Sequence, residues 1–324
     1  MSLPIGRSIN RVLAPFGIRV CRAARAGDHG GFSATGKLLP RRVGKYEILM
    51  HSNSALYKIY DENPQYSWEL GMIVRAASEK YPSARVIDVG ANVGDTLAIV
   101  RSQAEVNVLA IEGDPVPYSL LEVNSRLFPG TATMMAFLGD RDGEVRVRME
   151  KRGWNTTLVP TGALEKNGSA EAVSIVTLDG LLEHRPERAE YKVLKVDTEG
   201  FDFRIVRGAR RLIEEARPVV YLEYNRANMD AVGEDGLGTI DALRGGGYSS
   251  ALVWDSLGRF VFMVDLSCDS LVSDLHQYLG ATAGSQAYFD IAFFHSADRD
   301  LAAACAERAR QARGAGRLRT PGPP

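Results

Sequence analysis

The chain has 324 residues, 45% of them hydrophobic and 24% charged. That composition excludes a wholly disordered chain and suits about two domains, or one large α/β domain with additions. Lys and Arg number 39 against 40 Asp and Glu, a net charge of −1, which argues against a surface given over to gripping nucleic acid. The cysteines, Cys21, Cys268 and Cys305, lie far apart and form no CxxC pair, so neither a zinc knuckle nor a disulfide framework is expected and a reducing, cytoplasmic setting is the simplest reading. The sequence contains no run of about 18 apolar residues of the kind that spans a bilayer.

Residues 1–68 read as an N-terminal arm and lead-in. Arg7, Arg11, Arg19, Arg22 and Arg25 are interleaved with Ile5, Ile9, Val12, Leu13 and Phe16 at roughly helical spacing. This arm is the candidate for peripheral contact with a membrane; the simpler expectation is an arm packed on the body or a frayed end. Pro4 and Pro15 leave room for only a short helix.

From 69 to 298, strand and helix patterns alternate. Strand patterns cover 85–89, 106–111, 133–138, 191–196 and 219–222. Asp114-Pro115 starts a helix, with Asp at N-cap and Pro at the first helical position, and Pro129-Gly130 stops it. Val206, Ala209, Ile213 and Ala216 form another helical stripe. Strands separated by helices imply parallel pairing, so the expected fold is a doubly wound α/β sheet. Residues 144–149 and 173–178 are expected to pair with each other, leaving 150–172 as a long loop with Trp154 and Asn155, a candidate lid over the substrate. Residues 251–254 and 260–264 flank the turn Asp255-Ser256-Leu257-Gly258 and read as a hairpin; 288–294 is a last strand. Residues 299–324 are expected to be a basic, disordered tail.

The densest local signal is Asp88-Val89-Gly90-Ala91-Asn92-Val93-Gly94, between a strand and a helix pattern. Gly90 permits a tight turn, and Gly94 opens a helix whose first N–H groups are free. The spacing is not the GxGxxG of a dinucleotide site. An acid at the strand end suits a ligand with an ammonium group and would repel a pyrophosphate, which favours S-adenosylmethionine over NAD. Glu112 ends the next strand, where an acid accepts hydrogen bonds from ribose hydroxyls. Asp140, after the third strand pattern, is the candidate for the adenine amine. The cofactor-binding set is thus Asp88, Gly90, Ala91, Asn92, Gly94, Glu112 and Asp140.

Asp197 and Glu199 follow the fourth strand pattern and Glu223 ends the fifth. Ligands of open α/β sheets sit outside these carboxyl ends, so the three acids are the candidate catalytic residues, as bases or as ligands of a divalent metal such as Mg²⁺, which no sequence feature requires. His51 and His295 are weaker candidates for a base.

The motifs at 86–94, Glu112 with Pro115, Asn124, Thr177-Leu178-Asp179, 194–201, Gly208-Ala209 and Pro218 with Glu223 together resemble the FkbM family of methyltransferases. The resemblance spans about residues 69–225. It implies a Rossmann-like class I methyltransferase sheet, mostly parallel with an antiparallel strand near the C-terminus plus a β-hairpin insertion. It also implies S-adenosylmethionine as cofactor and methyl transfer to a hydroxyl of a sugar, glycolipid or secondary metabolite. The partner would be a small-molecule or glycan acceptor, with no nucleic acid. One departure is Gly113-Asp114 between Glu112 and Pro115, where the family often has Pro directly after the acid. The competing readings are an NAD(P)-dependent oxidoreductase or epimerase on the same kind of sheet, and a non-catalytic binding module. The first wants a third turn glycine and a Tyr-x-x-x-Lys proton donor, neither of which is evident.

Overall fold

Short apolar runs become parallel strands here, and the intervening segments pack as helices on both sides of them. The structure is a computed structural model that describes residues 36–152, 155–160, 171–281 and 288–314. A hairpin comes first, β1 (Leu38–Val43) with β2 (Tyr46–His51). Helices α1 (Ala55–Glu62) and α2 (Trp68–Lys80) follow. The alternating core runs β3 (Arg85–Val89), α3 (Asp95–Gln103), β4 (Asn107–Glu112), α4 (Pro115–Ser125), β5 (Thr131–Met135). Asp114 caps α4 by accepting from Val116 N at 2.9 Å, the arrangement expected of an Asp-Pro start.

The third strand pattern splits at Ala136. Thr131–Met135 joins the main sheet, whereas β6 (Phe137–Leu138) pairs with a second one. That second sheet holds β7 (Gly143–Arg152), β8 (Asn155–Pro160) and β9 (Glu171–Val176), in the order β6-β9-β7-β8. Val145 opposes Val173 as the alternation predicted. The loop expected over 150–172 is corrected, because 150–152 continue β7 and pair antiparallel with β8. Trp154 and residues 161–170 lie outside the described residues, and Asn155 is the first residue of β8.

The chain continues through α5 (Leu178–Leu181), β10 (Tyr191–Val196), α6 (Asp202–Arg207), α7 (Arg210–Ala216) and β11 (Val219–Tyr224). The single helix expected between β10 and β11 is two, broken at Gly208, where a Cβ would lie 2.0 Å from the Gly139 carbonyl oxygen. Asp179 accepts from Arg211 N at 2.7 Å and Leu212 N at 3.0 Å, so it caps α7. Then come α8 (Arg226–Ala231), α9 (Leu237–Gly245), β12 (Tyr248–Asp255), β13 (Phe260–Asp265), α10 (Asp269–Ala281), β14 (Phe289–His295) and α11 (Arg299–Gly314).

Among the described residues the main sheet has the order β13-β12-β14-β11-β10-β3-β4-β5. Strands β5, β4, β3, β10 and β11 are parallel, β14 is antiparallel to both β11 and β12, and β13 is antiparallel to β12. Side chains alternate across the sheet. Val86, Val108, Val193, Val219 and Phe294 pack on one face with Leu70, Ile73, Leu97 and Leu301 of α2, α3 and α11. Ile87, Leu109, Leu194, Val220 and Phe293 pack on the other with Phe203, Leu212, Ile240 and Leu279 of α6, α7, α9 and α10.

Both expected boundaries are revised. The lead-in set apart at 68/69 is part of the fold from residue 36: Val43, Ile48, Leu56 and Tyr60 are buried in the first of these cores. Asn124 ties the hairpin down, donating to Leu49 O at 3.0 Å and Val93 O at 2.7 Å and accepting from Leu49 N at 2.9 Å. The tail expected from 299 is helical to Gly314, with Leu301, Ala302, Cys305, Ala306 and Ala309 buried. The basic arm, 1–27, lies outside the described residues. Among the described residues no helix is long and apolar enough to cross a membrane.

Candidate functional site

A cavity of about 730 Å³ opens at the carboxyl ends of β3, β4, β10 and β11, within the size range of small-molecule sites. Gly90 and Asn92 form one wall, Ile111, Phe137 and Leu138 an apolar one, and Leu56, Ile59 and Tyr66 close it from the lead-in segment.

The turn after β3 is shaped by close approach. Gly90 has φ +77°, and a Cβ there would lie 1.8 Å from the Asp197 carbonyl oxygen, so no side chain fits. Gly90 N and Ala91 N both donate to Ile111 O, at 2.9 and 3.0 Å. Asn92 adopts φ +48°, a conformation that Asn tolerates better than most residues. Its N–H donates to Glu112 Oε2 at 2.9 Å, while Asp114 N donates to Glu112 Oε1 at 2.8 Å. Glu112 is thereby fixed at the end of β4 with a further lone pair on each oxygen. Burial pushes its carboxyl up to about 7, against those two backbone donors. Asp95, at the start of α3, accepts from Tyr60 OH at 2.8 Å and is pushed by burial to about 6.

Lys195 lines the cavity and is the only cation to do so among the described residues. It pairs in register with Asp88 of β3, its Nζ 3.0 Å from Asp88 Oδ1 and 3.5 Å from Asp197 Oδ2, and it donates to Gly90 O at 3.2 Å. Burial works to neutralise the ammonium, but the carboxylates of Asp88 and Asp197 outweigh it and hold it charged.

From the Gly90 turn toward the end of β11, Asp197, Glu199 and Glu223 line the cavity together. Glu199 stands at φ +56°, a strained position for a residue with a side chain. Asn228 Nδ2 donates to Glu199 Oε2 at 2.5 Å and to Glu223 Oε2 at 3.2 Å, clasping the two acids. Glu223 is opposite Asp290 of β14 in register. Burial, with the neighbouring charges of Glu199 and Asp197, holds the Glu223 carboxyl well above its usual range. Tyr66 and Tyr288, both lining the cavity, bring their hydroxyls within 3.3 Å of each other.

Of the residues expected from sequence, Gly90, Asn92, Glu112, Asp197, Glu199 and Glu223 meet in this cavity. Four are placed differently. Asp88 is fully buried behind Lys195 and does not face the cavity. Ala91 is fully buried and Gly94 is the N-cap of α3, so both shape the turn from outside it. Asp140 points away, pairing with Arg207 at 3.5 Å in a separate polar concavity with Arg141, Arg204 and Glu234. The third strand pattern breaks before it, which carries Asp140 off the main sheet. His295 is buried, and its Nδ1 accepts from Ala297 N at 3.1 Å; His51 lies by Gly36 O at 3.3 Å. Neither lines the cavity.

Sequence reading missed Asp95, Asp202, Asp290 and the site role of Lys195. Asp202 accepts from Thr198 N at 3.2 Å and Gly200 N at 3.0 Å, and burial pushes it up to about 7. Asp290 had a visible signal, a lone acid inside the apolar strand Tyr288–Phe294. Among the described residues no group of three or more His, Cys, Asp and Glu side chains is arranged to hold a metal ion.

Five parallel strands, a reversed strand β14 inserted before β12, and a cavity over a Gly-turn and an acid-ended β4 define a Rossmann-like class I methyltransferase sheet. The family model described as the methyltransferase FkbM domain matches residues 88–250, half of the chain. The chain belongs to the FkbM family of methyltransferases. Similar solved structures include a methyltransferase FkbM from Methylobacillus flagellatus, 18% identical, with a TM-score of 0.36 over 52% of this chain and 40% of that one. A precorrin-6y C5,15-methyltransferase from Geobacter metallireducens is 11% identical, with a TM-score of 0.37 over 70% of this chain and 88% of that one. A putative O-methyltransferase from Klebsiella pneumoniae is 11% identical, with a TM-score of 0.37 over 70% and 80%. No curated protein matches the chain.

Proposed function

We propose that the protein transfers the methyl group of S-adenosylmethionine to a hydroxyl oxygen of a sugar, glycolipid or secondary metabolite. The observation that carries this reading is the single cavity joining the Glu112–Asn92 corner to the Asp197–Glu199–Glu223 acids. The residues fit the cofactor. Glu112 keeps lone pairs for ribose hydroxyls, Phe137 and Leu138 offer an apolar wall for a flat base, and the acids suit a positively charged sulfur. When bound, the cofactor supplies an electrophilic methyl.

The chain's own part is positioning and proton removal. The acceptor oxygen must approach in line with the methyl carbon, so much of the rate comes from orientation. As that oxygen attacks, its proton passes to a carboxylate. Asp197 is the first choice, being nearest the Gly90 turn. Glu223 is the reserve, because a carboxyl with a raised pKa is a stronger base once ionised. Glu199 is tied to Glu223 through Asn228 and orients it.

The test is calorimetry with S-adenosylhomocysteine and NAD(P), followed by labelled methyl transfer to a panel of hydroxylated acceptors. Binding of S-adenosylhomocysteine and label on an acceptor oxygen are expected. Binding of the nicotinamide cofactor alone would end the reading.

A further inference from the structure

Asp88 and Lys195 sit opposite each other on adjacent parallel strands, and both side chains lie on the same face of the sheet. Asp88 is 0% exposed, and among the described residues no donor other than Lys195 is shown at either of its oxygens. Its compensation is the Lys195 ammonium at 3.0 Å. A buried charge with one counterion is costly unless that counterion is held in place. Lys195 in turn reaches two groups that belong to different strand ends, Gly90 O at 3.2 Å and Asp197 Oδ2 at 3.5 Å. Asp197 is 44% exposed at its side chain, and it is the member of the chain that faces the cavity most openly.

We propose that Lys195 is a positioning residue: anchored by buried Asp88, it holds the Asp197 carboxylate against the Gly90 turn, where that carboxylate meets the positively charged, methyl-bearing centre of the cofactor. The inference rests on the methyltransferase reading of the cavity. It gives Asp88 a different task from the one its motif suggests. Asp88 acts through Lys195, and the contact with the ligand's positive charge passes to Asp197.

The geometry also explains why a single Lys is needed here. Two strand ends must be fixed relative to each other, the turn after β3 and the bend after β10. They already touch at backbone level, where Asp197 N donates to Val89 O at 3.0 Å. That bond fixes the backbone of Asp197 and leaves its side chain free to rotate. An ammonium between the side chain and Gly90 O removes that freedom, which is the ordering cost that a binding site otherwise meets when the ligand arrives.

The experiment compares two probes, S-adenosylhomocysteine, neutral at sulfur, and sinefungin, which carries an amine in place of the methylsulfonium group. The ratio of their affinities, read by calorimetry, reports how well a carboxylate is held at the methyl position. Removing Lys195 alone would change both placement and local charge. The double variant Asp88→Asn/Lys195→Gln removes one negative and one positive charge together, so the net charge of the site is kept and placement alone is lost. The wild type is expected to prefer sinefungin, and the double variant to lose about tenfold of that preference, the size of one charge-assisted hydrogen bond. Asp197→Asn is expected to lose the same factor, and the two changes combined no more than either alone. An unchanged ratio in the double variant, or fully additive losses, overturns the proposal. If the double variant does not fold, Lys195→Arg carries the test: it keeps the cation but changes the reach to Gly90 O, and an unchanged ratio again overturns the proposal. A wild type that binds neither probe overturns the methyltransferase reading and this inference with it, whereas a wild type that binds both equally overturns the inference alone.

Discussion

The two ends of the cavity are built by different means. At the Glu112 end, carboxylates are held by backbone: Asn92 N and Asp114 N donate to Glu112 at 2.9 and 2.8 Å, from residues close to it in the turn and the strand end. At the Glu223 end a side chain does the holding: Asn228 of α8 clasps Glu199 and Glu223, while Tyr66 of the lead-in and Tyr288, just before β14, meet each other nearby. Backbone donors fix a carboxylate independently of what else changes nearby. Side-chain clasps can be exchanged one at a time. A shared cofactor suits the first construction and a variable acceptor suits the second.

The harshest way to break the first end is Gly90→Ala. A methyl group there meets the Asp197 carbonyl oxygen at 1.8 Å, in a left-handed conformation. Left-handed backbone costs about 1–2 kcal/mol for a residue with a Cβ, and the clash adds about 1–3 kcal/mol more. Thermal unfolding should show a lower Tm, and calorimetry no binding of S-adenosylhomocysteine; wild-type affinity would mean that the turn is not the cofactor wall.

At the second end, Asp197→Asn is expected to lower turnover about 10²- to 10⁴-fold. Affinity for S-adenosylhomocysteine should stay near wild type, because that probe has no charge at sulfur. Normal turnover would move the proton to Glu223, and Glu223→Gln would then show the same loss.

Next in size is Glu112→Ala. It removes the acceptor for ribose hydroxyls and unties the Asn92 and Asp114 amides. A loss of about 10- to 100-fold in S-adenosylhomocysteine affinity is expected, from roughly 1.5–3 kcal/mol per charge-assisted bond. Wild-type affinity would remove Glu112 from the cofactor site.

The contrast also explains what the sequence made legible. The Glu112 end is local: a strand, a Gly-turn and a helix start are written in consecutive residues, and the acid 24 positions after Asp88 follows from the strand–helix–strand unit. Parallel pairing of β3, β4, β5, β10 and β11 followed from the strand–helix alternation for the same reason. Lys195 and Asp88 form a pair that only register reveals, since they are neighbours across β3 and β10 and distant in sequence. Tyr66 and Asp290 come from segments whose side chains meet only once the sheet is wound. The same limit applies to 299–314, where basic composition suggested disorder but a stripe of Leu301, Ala302, Cys305 and Ala309 packs on the core.

A smaller effect, on stability, distinguishes this site from an ordinary surface. Burial raises Asp95 to about 6 and Glu112 and Asp202 to about 7. For such groups the folded state binds protons that the unfolded chain has released, so stability is fully present below about pH 4 for these groups and declines as pH rises through 6 to 7. The ligand-free protein should therefore lose a few degrees in Tm between pH 5 and pH 8. A Tm that rises over that interval would mean that these carboxyls are ionised without penalty.

The smallest expected effect belongs to Asp140→Ala, and it tests where the adenine end of the cavity stops. Sequence spacing puts Asp140 after the third strand, in reach of an adenine amine. The structure breaks that strand at Ala136 and sends Phe137–Leu138 into the second sheet. Leu138 still lines the cavity, but two residues later Asp140 faces Arg207 at 3.5 Å, with its side chain 38% exposed. Arg207 has better partners in Glu234 at 2.6 Å and Thr239 Oγ1 at 2.8 Å, so losing Asp140 leaves it held. A half-exposed pair of this kind contributes about 0–1 kcal/mol to stability and, lying outside the cavity, little to binding. Affinity of Asp140→Ala for S-adenosylhomocysteine should stay within about twofold of wild type, less than 0.5 kcal/mol on the same scale. A tenfold loss would place the adenine against the Arg207 concavity and return Asp140 to the cofactor site. The contrast drawn above would then fail at its first end, because an exposed side chain would be doing there what backbone does for Glu112.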